Sequence, residues 1–495
     1  MKKIGIVDQT FRDAHQCLWA SRMTTAMMLP VAERMDRIGF AAIDLTGGVH
    51  FDVGVRYLKE NPWEKIRLLR RKITRTPMIC AIRSRGGMMG FGVVPEDISL
   101  LWIERLIANG MKIFRVFDPL LDFENNIRQL NYAKELGAHT VGVLAYGHSP
   151  VHTDELYARK AGELVKSART DAIMLKDAPG LLTPERVRTL VPAIKKAIGR
   201  LPLELHTHCT TGLGPMVVLE GVKAGADLVH TSIAPLANGA AQPAIQTIAR
   251  NLRSMGYEIG IDNELVNEVG AHFGKVAAHA SKPVGVPHEY DGFHFEHQVP
   301  GGMISNFKAQ LEQAGLGHKL NEVLHECARV RSELGWPIMI TPFSQYVGTL
   351  AVLNIVTGER YRIIPDEIKK YALGYNGKLL APIEPNVLDR ILSNGSRDIP
   401  AVLPKAEPGV PALRKKYPNM SDEERLLRHA YAGSQVDDLF AAGPVRTEYD
   451  FEPPLIRLLS EISKRRGLAR VCIEACDMRL ELRKTAPRAS AKQDG

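Results

Sequence analysis

Eight short apolar runs, each followed by an amphipathic stretch of helical period, constrain this chain more than any other feature. The runs are IGIVDQT (4–10), AAIDLTG (41–47), PMICAIR (77–83), KIFRVFD (112–118), HTVGVLAYG (139–147), AIMLKD (172–177), LELHTH (203–208) and LVHTSI (228–233). Between them stand stretches such as PEDISLLWIERLIANG and TPERVRTLVPAIKKAIG, many ending in Gly just before the next run, the usual helix stop. Strands alternating with helices imply βαβ units and a parallel sheet. Eight units in about 240 residues have the count and length of a closed (β/α)8 TIM barrel, an α/β fold. A doubly wound open sheet is the rival, but it usually has fewer strands. In addition, no GxGxxG follows the first run and no GxxxxGK[ST] occurs.

The chain has 495 residues, 45% hydrophobic and 24% charged, a globular composition with room for more than one domain. Its formal net charge of +9 is spread along the chain, and no Lys/Arg block alternates with aromatics, so no nucleic-acid partner is expected. Cysteines at 17, 80, 209, 327, 472 and 476 form no CxxC pair, which fits a reducing compartment. The start, MKKIGIVDQTFRD, lacks the apolar core of a signal peptide. The longest apolar stretch, 338–356, is interrupted by Pro342, Ser344 and Gln345, so no membrane span is expected. The expectation is a soluble, cytoplasmic protein.

Chemistry in such barrels sits at the C-terminal ends of the strands. The polar residues there are Arg12, Asp13 and Gln16 after the first run, Arg83 after the third and Asp118 after the fourth. Lys176 and Asp177 end the sixth, and His206 and His208 the seventh. Two residues apart on a strand, His206 and His208 point to the same side. HxH alone is compatible with packing or with ligation of a zinc-like ion. Asp13 would add an oxygen from across the mouth, and three ligands with an open position is the layout of a catalytic metal. Lys176, in an apolar strand, has two readings, since a buried ammonium is costly. It forms an ion pair with Asp177 or Asp13, or its neutral amine reacts with carbon dioxide to give a carbamate, an anionic oxygen ligand.

Longer motifs extend this pattern. TFRDAHQ (10–16), FRVFDPL (114–120), SPVHT (149–153), LKDAPGLLTP (175–184), LHTHCTTG (205–212), VPGGMISN (299–306) and TPFSQYVGTLAVLNIVTGERY (341–361) occur in this order. Together they resemble the carboxyltransferase component of biotin-dependent enzymes: the pyruvate carboxylase carboxyltransferase domain, the oxaloacetate decarboxylase alpha subunit and the pyruvate-binding subunit of transcarboxylase. The resemblance implies that Asp13, Lys176, His206 and His208 hold a divalent zinc, manganese or cobalt ion, with the lysine carbamylated. It implies that Arg83 clasps the pyruvate carboxylate and that Arg12 and Gln16 lie beside substrate and biotin. It further implies that Ser305 carries a proton between biotin and the pyruvate enol. A homodimer or higher homo-oligomer is also implied.

This chain departs from the family pattern near the substrate. RSRGGMMGF (83–91) carries one extra residue and has Phe91 where a Tyr is usual, which makes Arg85 a rival to Arg83. His230 stands where an Asp is usual, and Ala240 and Ala241 replace small hydroxyl residues. The expected domains are a barrel over 1–285, a helical funnel extension over 286–402, a C-terminal helical segment over 403–480 and a disordered basic tail over 481–495. LPKAEPGVP (403–411) reads as a linker, and Ser421 with Glu424 as a capping box. No lysine lies between methionines on a hairpin as a biotinyl domain requires, and no ATP-binding carboxylase domain occurs. The expectation is therefore a separate subunit that meets biotin on a carrier chain and works with a biotin carboxylase subunit, acting on pyruvate or oxaloacetate. The alternatives are a biotin-independent oxaloacetate decarboxylase, a metal-dependent aldol-type lyase on the same barrel, and a non-catalytic scaffold that binds a carrier.

Overall fold

The computed structural model describes residues 1–88, 93–300, 303–304, 307, 311–312, 315–451, 454–465, 470–475 and 478–483. All eight expected strands form: β1 Gly5–Asp8, β2 Ala42–Gly47, β3 Met78–Arg83, β4 Ile113–Phe117, β5 His139–Ala145, β6 Ala172–Asp177, β7 Leu203–Thr207 and β8 Leu228–Thr231. They pair in parallel in chain order, and β8 closes on β1 through Gly5 opposite Leu228. Both faces of each strand are covered, so the strands carry continuous apolar runs rather than alternation; β2 is buried at all six positions.

The helices begin and end where local chemistry directs. Thr153 and Thr183 accept hydrogen bonds from Leu156 N and Arg186 N, capping Asp154–Ala168 and Pro184–Ile198. After the helix Glu96–Ala108, Gly110 takes φ of 106°, which lets the chain turn back into β4.

Beyond the barrel, the helices Leu320–Glu333, Phe343–Thr357, Asp366–Ala372 and Pro385–Asn394 share an apolar core that includes Val323, Cys327, Val347, Leu350 and Tyr371. Leu120, from the loop after β4, is part of that core and joins it to the barrel. The apolar run at 338–356 becomes the helix Phe343–Thr357, and no described helix is long and apolar enough to cross a membrane.

The linker is shorter than its composition implies. Gly409–Lys416 is helical, with Pro411 in the first turn, where its missing N–H breaks no helical bond. Asp97 accepts Gly409 N at 3.0 Å and Val410 N at 2.8 Å, which pins this helix to the barrel wall. Ser421 caps Asp422–Ala430 as its spacing suggests, accepting from Glu424 N at 3.2 Å. Glu423 takes Arg105 Nη2 at 2.8 Å and Asn109 Nδ2 at 3.1 Å, while its carbonyl accepts Trp63 Nε1 at 3.2 Å. The segment thus wraps back along the outside of the barrel. The described residues from 449 onward form a second compact unit. It holds a helix, Pro454–Lys464, and an antiparallel pair, β9 Arg470–Ala475 and β10 Met478–Arg483. Residues 481–483 therefore belong to a strand, and the rest of the expected tail, 484–495, lies outside the described residues.

Candidate metal and substrate site at the barrel mouth

After β1 the chain enters a short π-helical turn, Thr10–Ala14, all of it buried, which turns Asp13 into the barrel mouth. There Asp13 Oδ2 lies 3.2 Å from His206 Nε2 and 3.5 Å from His208 Nε2, and the two imidazole nitrogens are 3.0 Å apart. Ligands about 2.1 Å from one ion at tetrahedral or octahedral angles stand about 3.0–3.4 Å from each other, so this triangle has the size of one coordination sphere.

The protonation pattern of the triangle also suits a cation. His208 Nδ1 lies 2.7 Å from the Ala240 carbonyl, which can only accept, so in the neutral ring, the form that ligates an ion, this nitrogen carries the hydrogen and Nε2 keeps a lone pair. Burial lowers the ring's pKa, but Cys17 and Asp13 outweigh it and raise it to about 10 in the metal-free chain. Gln242 Nε2, a donor, sits 3.1 Å from His208 Nε2 and 3.2 Å from Asp13 Oδ2, so it meets two acceptors when the ring is neutral. Burial alone would raise the Asp13 carboxyl, but it is held well below the usual carboxylate range, first by the charges of Arg12 and Lys176.

Lys176, near the end of β6, reaches the mouth with Nζ 4.0 Å from Asp13 Oδ2. Burial lowers its amine to about 8, against the pull of Asp13. Asp177 is not its partner: it accepts Leu181 N and Leu182 N at 2.8 Å each and Thr207 Oγ1 at 2.8 Å, holding the loop after β6. Asp118 likewise organises the loop after β4, accepting from Ser84 Oγ, Leu120 N and Asn125 Nδ2.

A cavity of about 190 Å³ opens beside the triangle, and Arg12, Gln16, Arg83 and Lys176 all line it. Arg83 ends β3, where burial lowers its guanidinium to about 10. The rival Arg85 turns away, to Asn125 Oδ1 and the carbonyl of Tyr375. Thr341, Ser344 and Gln345 of the helical extension line the same cavity, so the barrel and the extension build it jointly. Phe91 and Ser305 lie outside the described residues.

Beneath the mouth, the barrel interior holds a buried polar layer. Arg12 Nη2 and Arg115 Nη1 share Asp44 Oδ2 at 3.0 and 3.1 Å, and Arg115 Nη2 reaches Glu204 Oε2 at 2.7 Å. His230 Nε2 is 3.1 Å from the same Glu204 oxygen, and His230 Nδ1 is 2.9 Å from His206 Nδ1. Reading the sequence singled out neither Gln242 nor this layer; charged residues in the middle of barrel strands, Asp44, Arg115 and Glu204, are the signal that points to the layer. Cys17, which no motif singled out, lines the cavity 3.8 Å from His208 Nδ1, and its thiol lies within 4.8 Å of donor atoms of Asp13 and His208.

A closed eight-stranded barrel with a helical extension at its C-terminal mouth is the architecture of solved carboxyl transferase domains. The chain belongs to the family of carboxyltransferase components of biotin-dependent carboxylases. It is 40% identical over 450 residues to a pyruvate carboxylase subunit of Methanocaldococcus jannaschii, covering 90% of this chain and 79% of that one. It is 35% identical to the 2-oxoglutarate carboxylase large subunit of Hydrogenobacter thermophilus, covering 89% of this chain and 69% of that one. The carboxyl transferase domain of Rhizobium etli pyruvate carboxylase, solved with pyruvate, superposes with a TM-score of 0.81 at 25% identity, over 89% of this chain and 77% of that one. Residues 295–431 match the family described as a conserved carboxylase domain, and residues 123–272 the family described as HMGL-like.

Proposed function

We propose that this chain moves a carboxyl group between carboxybiotin, carried on a separate chain, and pyruvate, forming or consuming oxaloacetate. The observation that carries the reading is the shared cavity, which sets Arg83 and Gln16 beside the Asp13, His206 and His208 triangle. Asp13, His206, His208 and Lys176 would hold a divalent zinc, manganese or cobalt ion. Bound there, the ion supplies Lewis-acid stabilisation of the negative charge that develops on a keto oxygen.

The chain's own residues do the rest. Arg83 offers a guanidinium to the substrate carboxylate, in the geometry that takes both oxygens at once, and so orients the methyl group toward the incoming carbon. Arg12 is held by Asp13 and Asp44, which keeps its charge at the cavity edge. In the carboxylation direction the N–C bond of carboxybiotin breaks and carbon dioxide leaves. The biotin nitrogen takes a proton from the pyruvate methyl group, and the resulting enolate carbon bonds to carbon dioxide. Ser305, by its place in VPGGMISN, is the hydroxyl that would relay that proton, as donor and acceptor together. Lys176 contributes as a carbamate: its ammonium first gives up a proton, the neutral amine attacks carbon dioxide, an N–C bond forms, a second proton is released, and a cation becomes an anionic oxygen donor.

The names of the relatives support a division of labour, because they describe subunits. Partners of the corresponding kind are a biotinylated carrier and a biotin carboxylase subunit. The test is pyruvate release from oxaloacetate by the metal-loaded chain, with and without biotin or a biotinylated carrier. Dependence on biotin is the expected result. Full activity without it would make the chain a self-sufficient decarboxylase, and no activity with oxaloacetate but turnover of a 2-oxoglutarate product would change the acceptor.

A further inference from the structure

The buried polar layer meets the donor triangle at His206. His206 Nδ1 and His230 Nδ1 are 2.9 Å apart, so one of them carries a hydrogen and the other accepts it. The far side of the His230 ring decides which. His230 Nε2 is 3.1 Å from Glu204 Oε2, and the same oxygen takes Arg115 Nη2 at 2.7 Å. A carboxylate paired with a guanidinium can only accept, so His230 Nε2 donates. A neutral imidazole that donates through Nε2 accepts through Nδ1. Gln9 Nε2, a donor 3.2 Å from His230 Nδ1, makes the same demand.

The hydrogen between the two rings therefore sits on His206 Nδ1. That leaves the lone pair of His206 on Nε2, the atom facing Asp13 and His208. The opposite pair of tautomers would place the hydrogen on His206 Nε2, spent on Asp13 3.2 Å away. Arg115 Nη2 lies 3.2 Å from His230 Nε2, and its second hydrogen, given to that atom, would favour the opposite pair; the Gln9 amide opposes this, because its Oε1 takes Arg12 Nη2 at 3.4 Å and so turns the donor Nε2 toward His230 Nδ1.

We propose that His230, held by Glu204, is a positioning residue that fixes His206 in its Nδ1–H tautomer and so keeps His206 Nε2 open to a metal ion. The inference rests on the metal reading of the site. It also gives a reason for the histidine at this position: the ring passes the orienting effect of a carboxylate on β7 across to a neighbouring residue of the same strand, two positions on. Partners of this kind typically change metal affinity 10–100-fold.

Two-bond proton–nitrogen spectra of the full chain labelled with 15N-histidine, free of metal, report which nitrogen of each ring bears the hydrogen. The expected result is His206 in the Nδ1–H form in the wild type. His230→Asn, whose Oδ1 can accept at the place of Nδ1, is expected to keep that form. His230→Leu, which cannot accept, is expected to lose it, and its zinc affinity by chelator competition is expected to fall about 10–100-fold, with His230→Asn closer to the wild type. His206 carrying its hydrogen on Nε2 in the metal-free wild type would overturn the proposal, as would wild-type zinc affinity in His230→Leu. If His230→Leu does not fold, the wild-type spectrum and His230→Asn still decide. A wild-type chain that binds no zinc would defeat the metal reading instead, and the tautomer spectrum, recorded without metal, separates the two failures.

Discussion

Arg12 and Asp13 are neighbours in the chain and also an ion pair, with 3.2 Å between Arg12 Nη1 and Asp13 Oδ1 and both side chains almost wholly buried. Consecutive residues rarely meet this way in a regular helix or strand; the π-helical turn after β1 brings the two heads together. Arg12 also reaches Asp44, so one guanidinium links the mouth to the polar layer below. Arg12→Met would leave Asp13 and Asp44 with less compensation in a buried setting. Its expected cost is about 3–5 kcal/mol, read from urea unfolding; a loss under about 1 kcal/mol would show that the pair contributes little.

The donor triangle makes a prediction about metal content. Asp13→Asn, His206→Ala and His208→Ala are each expected to lower metal retained after dialysis well below one per chain. Cys17→Ser is expected to retain it, because the thiol approaches His208 on the Nδ1 side rather than at Nε2. Elemental analysis of the four variants checks both halves, and loss of metal in Cys17→Ser would add the thiol to the donor set.

Native mass spectrometry should find Lys176 carrying the mass of one carbon dioxide when bicarbonate is present, and Lys176→Arg should lack it. An unmodified wild-type chain with full metal would remove the carbamate from the ligand set.

Arg83 and Arg85 differ in where they point, and their variants should differ in kind. Arg83→Lys would lose the proposed two-oxygen clasp, worth about 1.5–3 kcal/mol for a charged hydrogen bond, so KM for the keto acid should rise about 10–100-fold. Arg85→Lys, whose bonds go to Asn125 and Tyr375, should leave KM near the wild-type value. Equal effects on KM would return Arg85 to the substrate.

Asp8 ends β1, fully buried, with Thr10 N and Oγ1 donating to its carboxylate at 3.1 and 2.6 Å. Burial raises its pKa from the ordinary 3.8 to about 7, with the Thr10 bonds opposing. Between these values the folded chain holds a proton that the unfolded chain has released. The stability it contributes is full below the unfolded value and is lost as pH rises through about 7. Asp8→Asn should remove this part of the pH dependence and gain on the wild type between about pH 5 and about pH 8, read as urea midpoints. A constant difference between the two proteins across that range would contradict it.

The barrel was legible because its signal is local. Each strand is a short apolar run and each helix carries its own stop, so Thr153, Thr183 and Gly110 mark boundaries without reference to the rest of the fold. Lys176, His206 and His208 were legible for a second reason: strand ends face one mouth whatever the register of the helices, whereas Asp13, past the end of β1, is carried there by the π-helical turn. Gln242 was not legible, because it lies in the loop after β8 and only the fold of that loop brings its amide to Asp13. Asp118 and Asp177 were overweighted, because a carboxylate at a strand end serves loop N–H groups as readily as a substrate. The choice between Arg83 and Arg85 needed the position of Asn125, 40 residues further on.

The clasp of Asp97 and Glu423 on the returning segment has a consequence for how the chain can be cut or extended. Residues 403–408 are irregular and mostly exposed, whereas the stretches on both sides are anchored, one in the helical roof and the other on the barrel wall. A protease that opened this strap would yield two fragments that remain one particle, parting only in denaturant. For the same reason the strap is a seam into which new sequence could be spliced while both anchors held.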